Sequence, residues 1–133
     1  HCISSAASDV YKRQAYIFLL KMRFENNLQF DIQIAKSFED YRLPPMAVQV
    51  LIENAVKHNE ISDRKPLTIH IVTNNEGYLS VSNDIQPKRT AASGTGIGLV
   101  NLAKRYRLLF KQDIQITEDK EFSVCIPLID EVQ

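Results

Sequence analysis

Much of this chain alternates apolar and polar residues with a period of two. Leu28, Phe30, Ile32 and Ile34 alternate with Gln29, Asp31 and Gln33. Residues 67–73 and 78–83 repeat the pattern on either side of Asn74-Asn75-Glu76-Gly77, and Phe122, Val124 and Ile126 do so before Pro127. A period of two puts one face of each strand in a core and the other in more polar surroundings. Doubly wound parallel sheets, buried on both faces, read instead as continuous apolar runs. A mostly antiparallel sheet is therefore expected. Residues 74–77 predict one hairpin, and Ile114 and Ile116 predict a strand that pairs with 122–126 around Asp119-Lys120.

Helices fill the intervals. Residues 15–26, 46–58 and 98–110 carry apolar stripes at helical spacing. In the first, Phe18, Leu19 and Met22 are expected on one face; in the last, Leu99, Leu102, Ala103, Tyr106 and Phe110. Pro44-Pro45 sets the start of the second. The expected fold class is α/β, a two-layer sandwich of a mixed, mostly antiparallel sheet with helices on one face.

At 133 residues the chain is one domain, or part of a longer protein. Its 16 Lys and Arg balance 16 Asp and Glu, so charge gives no case for nucleic acid or an anionic membrane surface. Cys2 and Cys125 are too few for a disulfide framework, which fits a reducing compartment. No apolar run spans a bilayer, since Ile17-Phe18-Leu19-Leu20 is followed at once by Lys21. Residues 1–14 hold Ser4-Ser5-Ala6-Ala7-Ser8 and no initiator Met, and read as a non-native or disordered leader.

On the second helix Ala47, Leu51, Asn54 and His58 share a stripe. An amide on an apolar stripe without a partner costs about 1–3 kcal/mol. Asn54 offers a neutral carbonyl oxygen of the kind magnesium accepts while taking its other ligands from phosphate and water. Lys57, one turn after Glu53, can place positive charge beside the same phosphates, and Glu53 can orient or deprotonate a nucleophile. The same residues also suit an ordinary helix end, with Glu53 and Lys57 as a surface pair contributing about 0.3–0.5 kcal/mol.

Gly94, Gly96 and Gly98 alternate just before the third helix, with Thr95 between the first two. Glycines let backbone amides approach an anion, and a helix N-terminus adds free N–H groups and a positive dipole end. The spacing is neither G-x-G-x-x-G nor a Walker A loop, and a flexible hinge is the other reading. Asn83 shares a strand face with Leu79 and Val81. There it can bond the edge of a base, or start a turn with Asp84.

In this order, these segments resemble the ATP-binding domain of sensor histidine kinases, in the fold shared with gyrase, Hsp90 and MutL. Leu43-Pro44-Pro45-Met46 followed by Glu53-Asn54-Ala55-Val56-Lys57-His58 is similar to the Pro-Pro lead-in and N box of the LytS/YehU-type branch. Gly94-Thr95-Gly96-Ile97-Gly98-Leu99-Val100-Asn101-Leu102 matches that family's second glycine box, Arg105 the helix after it, and residues 122–127 the final strand.

The resemblance implies ATP and Mg2+ as ligands. It implies Asn54 as the metal ligand, and Lys57 and His58 along the phosphates. Gly94, Thr95, Gly96, Ile97, Gly98 and Leu99 would cradle the phosphates, and Asn83 would bond the adenine amino group. Glu53 and Lys57 are the implied catalytic pair. Residues 84–95 would form a lid. Ile85 and Pro87 stand where the first glycine box has glycines, and Lys120 where a threonine often precedes the last strand.

A bacterial histidine kinase domain of this type transfers the γ-phosphoryl group to a histidine on a helical dimerisation domain. Residues 15–27 then read as the tail of that helical segment, and 28–133 as the catalytic domain. Neither His58 nor His70 stands in an acceptor motif. The implied partners are that upstream domain, a response regulator and a second subunit, and the implied setting is the cytoplasmic side of a membrane-anchored sensor. The alternatives are a degenerate interaction module of the same fold, or another ATPase or protein kinase of that fold.

Overall fold

A computed structural model of the chain describes residues 4–5, 14–89 and 96–130. In chain order these form β1 (Ser4–Ser5), α1 (Gln14–Phe24), β2 (Leu28–Gln33), β3 (Arg42–Leu43), α2 (Ala47–His58), β4 (Leu67–Thr73), β5 (Tyr78–Asp84), α3 (Ile97–Phe110), β6 (Gln115–Glu118) and β7 (Glu121–Pro127). Five strands make one sheet in the order β2-β4-β5-β7-β6. The β2–β4 pair is parallel and the other pairs are antiparallel. The two-residue strands β1 and β3 pair separately.

The alternation does what its period requires. Leu28, Leu67, Ile69, Ile71, Leu79, Val81, Val124 and Ile126 are buried on one face of the sheet. They form a single core with Ala47, Val48, Leu51, Ile52 and Ala55 of α2 and Leu102 and Tyr106 of α3. The result is the two-layer sandwich that the sequence predicts. Both predicted hairpins form. In the first, the Asn74 side-chain oxygen accepts N–H bonds from Glu76 (2.8 Å) and Tyr78 (3.0 Å), and Gly77 takes φ +86°. That is an Asx turn, closed by the residue without a Cβ. The other sheet face is half-exposed, and there Asp31 and His70 pair across β2 and β4 at 3.0 Å.

One expected face is wrong. In α1 the buried residues are Ile17 and Leu20, while Phe18 (62%), Leu19 (63%) and Met22 (63%) are exposed. This helix carries apolar side chains on nearly every side, so no single stripe stands out, and packing selects the face. Boundaries shift slightly: α2 begins after Met46, which takes a left-handed φ of +67°, and α3 begins at Ile97.

Candidate active site

Asn54 and His58 lie one turn apart on α2 and line the same pocket of about 360 Å³. Asn59, Ile85, Pro87, Glu118 and Phe122 complete its walls. The pocket thus has polar groups from the end of α2 and from Glu118 of β6, and an apolar side built by Ile85, Pro87 and Phe122. Its size falls within the range of small-ligand sites. Asn54 is half-buried. Among the described residues, no hydrogen bond occupies its amide.

The start of α3 stands beside this face of α2. Gly98 packs so closely on α2 that an added Cβ would lie 3.3 Å from Val50 Cγ1. Val50, Asn54 and His58 follow one another at four-residue intervals. Further along, Arg105 Nη1 donates to the Pro45 carbonyl at 3.2 Å. Residue 98 beside 50 and 105 beside 45 make the two helices antiparallel, so the N-terminus of α3 points towards the Asn54 half of α2. Gly96 caps α3 with φ +70° and no side-chain cap bond. The first intrahelical bond runs from Val100 N–H to the Gly96 carbonyl at 3.0 Å. The amides of Ile97, Gly98 and Leu99 precede it and are the ones such a helix start leaves open to an anion. Leu99 also packs its side chain on the core. Gly94 and Thr95 lie outside the described residues.

Asn83 is 2% exposed and sits opposite Phe122 in the β5–β7 ladder. Its Nδ2 donates to the Asp84 carbonyl at 2.8 Å. Its side-chain oxygen has no partner among the described residues. A buried amide oxygen of that kind calls for a donor. Asn83 is not itself in the pocket lining, although Phe122 is.

Glu53 and Lys57 are not brought to that pocket. They line a separate depression between α1 and α2, with Tyr16, Arg23 and Phe24. Glu53 accepts a bond from Gln49 Nε2 at 2.9 Å. Burial, together with the Glu53 carboxylate, pushes the Tyr16 hydroxyl up to about 12, with Arg23 pulling the other way. Two residues to which sequence reasoning gave no role also belong to the site's surroundings, Asn59, the end of the polar cluster that begins at Glu53, and Gln86. Asn59 directly follows His58, and Gln86 lies between the two residues that replace glycines. Those positions were the available signal.

The donor set suits a magnesium nucleotide. Among the described residues no group of three His, Cys, Asp or Glu could hold a metal by itself. A magnesium ion bound mainly by phosphate and water needs none, and a free amide oxygen such as that of Asn54 can complete its shell. The helix N-terminus suits the phosphates. The pocket wall of Ile85, Pro87 and Phe122 suits a flat ring.

This architecture is that of histidine kinase catalytic domains. The catalytic domain of the histidine kinase ThkA superposes with a TM-score of 0.66 at 17% identity, covering 96% of this chain and 97% of that one. A mycobacterial sensor histidine kinase, MprB, gives 0.57 at 11% identity, covering 97% and 98%. No protein-family model matches the chain. Its curated relatives are sensor kinases: the sensor protein LytS of Streptococcus mutans is 36% identical over 79% of this chain and 20% of its own length. LytS of Staphylococcus epidermidis is 31% identical over 72% and 19%. The sensor histidine kinase BtsS of Escherichia coli is 26% identical over 84% and 20%. Over most of its length the chain is thus homologous to LytS/BtsS sensor histidine kinases, and it spans about a fifth of these relatives.

Proposed function

We propose that this chain is the ATP-binding catalytic domain of a two-component sensor kinase. In this reading it binds Mg–ATP and passes the γ-phosphoryl group to a histidine imidazole on a helical domain, leaving ADP. The observation that carries the reading is one cavity lined by Asn54 and His58, on the face of α2 against which the start of α3 packs, in a fold of this class. Phosphoryl transfer needs chiefly positioning and charge neutralisation. Asn54 would hold the magnesium, which when bound neutralises and orients phosphate oxygens. His58 and the amides from Gly94 to Leu99 line the phosphates, and the Asn83 side-chain oxygen accepts from the adenine amino group. Lys57 adds positive charge from the adjoining face. Glu53, on the side that faces α1, orients the incoming imidazole, because residues 15–27 continue the helical segment from which that imidazole arrives.

The partners follow from the same reading: the upstream dimerisation and phosphoacceptor domain, a response regulator and a second subunit. The domain would work on the cytoplasmic side of a membrane-anchored sensor. No helix among the described residues is long and apolar enough to cross a membrane.

Calorimetric titration with a non-hydrolysable Mg–ATP analogue tests the reading. Wild type should bind, and Asn54→Ala should weaken binding by about 10-fold or more, the cost of one lost ligand contact of about 1.4 kcal/mol. No binding at millimolar nucleotide would sink it, and binding indifferent to Asn54→Ala would favour the degenerate module.

A further inference from the structure

We infer that Gln86 and Asn59 form a polar staple that positions the base-facing wall of the nucleotide pocket, an inference that rests on the nucleotide reading above. Asn59 follows the last residue of α2 and is 6% exposed. Its Nδ2 donates to the Ala55 carbonyl at 2.8 Å, holding one carbonyl of the helix's last turn. Its side-chain oxygen accepts the Gln86 N–H at 2.9 Å. The Gln86 carbonyl accepts the Glu60 N–H at 2.7 Å, and Lys88 N–H reaches the His58 carbonyl at 3.4 Å. The Gln86 side-chain amide then donates towards the carbonyls of Glu60 (2.8 Å), Lys65 (2.9 Å) and Pro66 (3.3 Å). One glutamine thus ties together the end of α2, the approach to β4 and the segment that leaves β5.

The residues on either side of Gln86 are the ones that line the pocket, Ile85 and Pro87, with Phe122 as their apolar companion. Elsewhere in the resembled family this place carries glycines, which a nucleotide can shape around itself. Here it carries a β-branched residue and a proline, which cannot adapt in that way. Such a wall serves a flat heteroaromatic ring only when it is already in place, and ordering it beforehand removes that cost from binding. Gln86 lies outside the pocket lining, and Asn59, which lines the pocket at the end of α2, acts on this wall through the Gln86 N–H. They are positioning residues for the base end, while Asn54, His58 and α3 serve the phosphate end.

The test is calorimetry on the full chain with three probes: Mg–AMPPNP, adenosine, and Mg–tripolyphosphate. The variants are Gln86→Ala and Gln86→Glu, the second matched in shape but without the donor. Both variants should lose about 10-fold for Mg–AMPPNP and adenosine, with tripolyphosphate unchanged, and amide exchange at residues 86 and 88 should accelerate. Unchanged adenosine affinity, equal losses for all three probes, full rescue by Gln86→Glu, or unfolding of both variants would overturn the staple and leave the nucleotide site standing. Wild type that binds none of the probes would overturn the nucleotide reading and the inference with it.

Discussion

Tyr106 is fully buried in α3, and its hydroxyl donates to the Pro127 carbonyl of β7 at 2.8 Å. A buried hydroxyl and a buried carbonyl that satisfy each other tie a helix to a strand at one point. Replacing Tyr106 by Phe keeps the ring and removes the donor, which should cost about 1–3 kcal/mol, read as a lower urea midpoint with an unchanged slope. At this scale the sequence was informative about residue type and silent about direction. Asn54 and His58 stood out because they interrupt an apolar stripe, and they do share a pocket. Glu53 and Lys57 are their immediate neighbours, and about 100° of helix rotation turns them towards α1 instead. Gln86 was marked only by its place between Ile85 and Pro87, because its three carbonyl partners are brought together only by the fold.

Between elements, the contact of α1 with α2 carries a titration. The Tyr16 hydroxyl is raised to about 12 by burial first and by Glu53 second. The unfolded chain ionises it near pH 10. Its contribution to stability is therefore full below pH 10 and is lost as pH rises from there towards 12. Tyr16→Phe should flatten that part of the pH–stability curve, measured by denaturant titration between pH 9 and 11.5, and leave neutral pH unaffected by ionisation. Helices α2 and α3 were readable in sequence because each buries the stripe that its spacing marks, α3 doing so with Ile97, Val100, Leu108 and Leu109 left exposed. The buried side of α1 was not, since Tyr16, Ile17, Phe18, Leu19, Leu20, Met22 and Phe24 surround the axis. Two glycines of the second glycine box do different work that spacing alone does not distinguish. Gly96 has a positive φ and no close neighbour among the described residues, whereas Gly98 has ordinary helical geometry and a close neighbour in Val50.

Across the whole molecule, strands and hairpins were legible because a period of two and an Asx turn are local signals. The strand order was not, because the parallel pairing of β2 with β4 is a relation between distant segments. Asp31 and His70, which meet in that pairing, are 39 positions apart. The chain between them holds β3 and all of α2, so the helix that supplies Asn54 lies inside the crossover that closes the sheet. This has a kinetic consequence. The β4–β5 and β6–β7 hairpins join neighbours in sequence, whereas β2 must wait for a long loop to close, an entropic cost met before its contacts repay it. Ile71→Val in the β4–β5 hairpin should slow refolding. Ile32→Val in β2 should leave refolding nearly unchanged and speed unfolding, each change costing about 0.5–1.5 kcal/mol at equilibrium and separable in a chevron. The strand that gives the sheet its mixed character would then be the last to join and the first to leave.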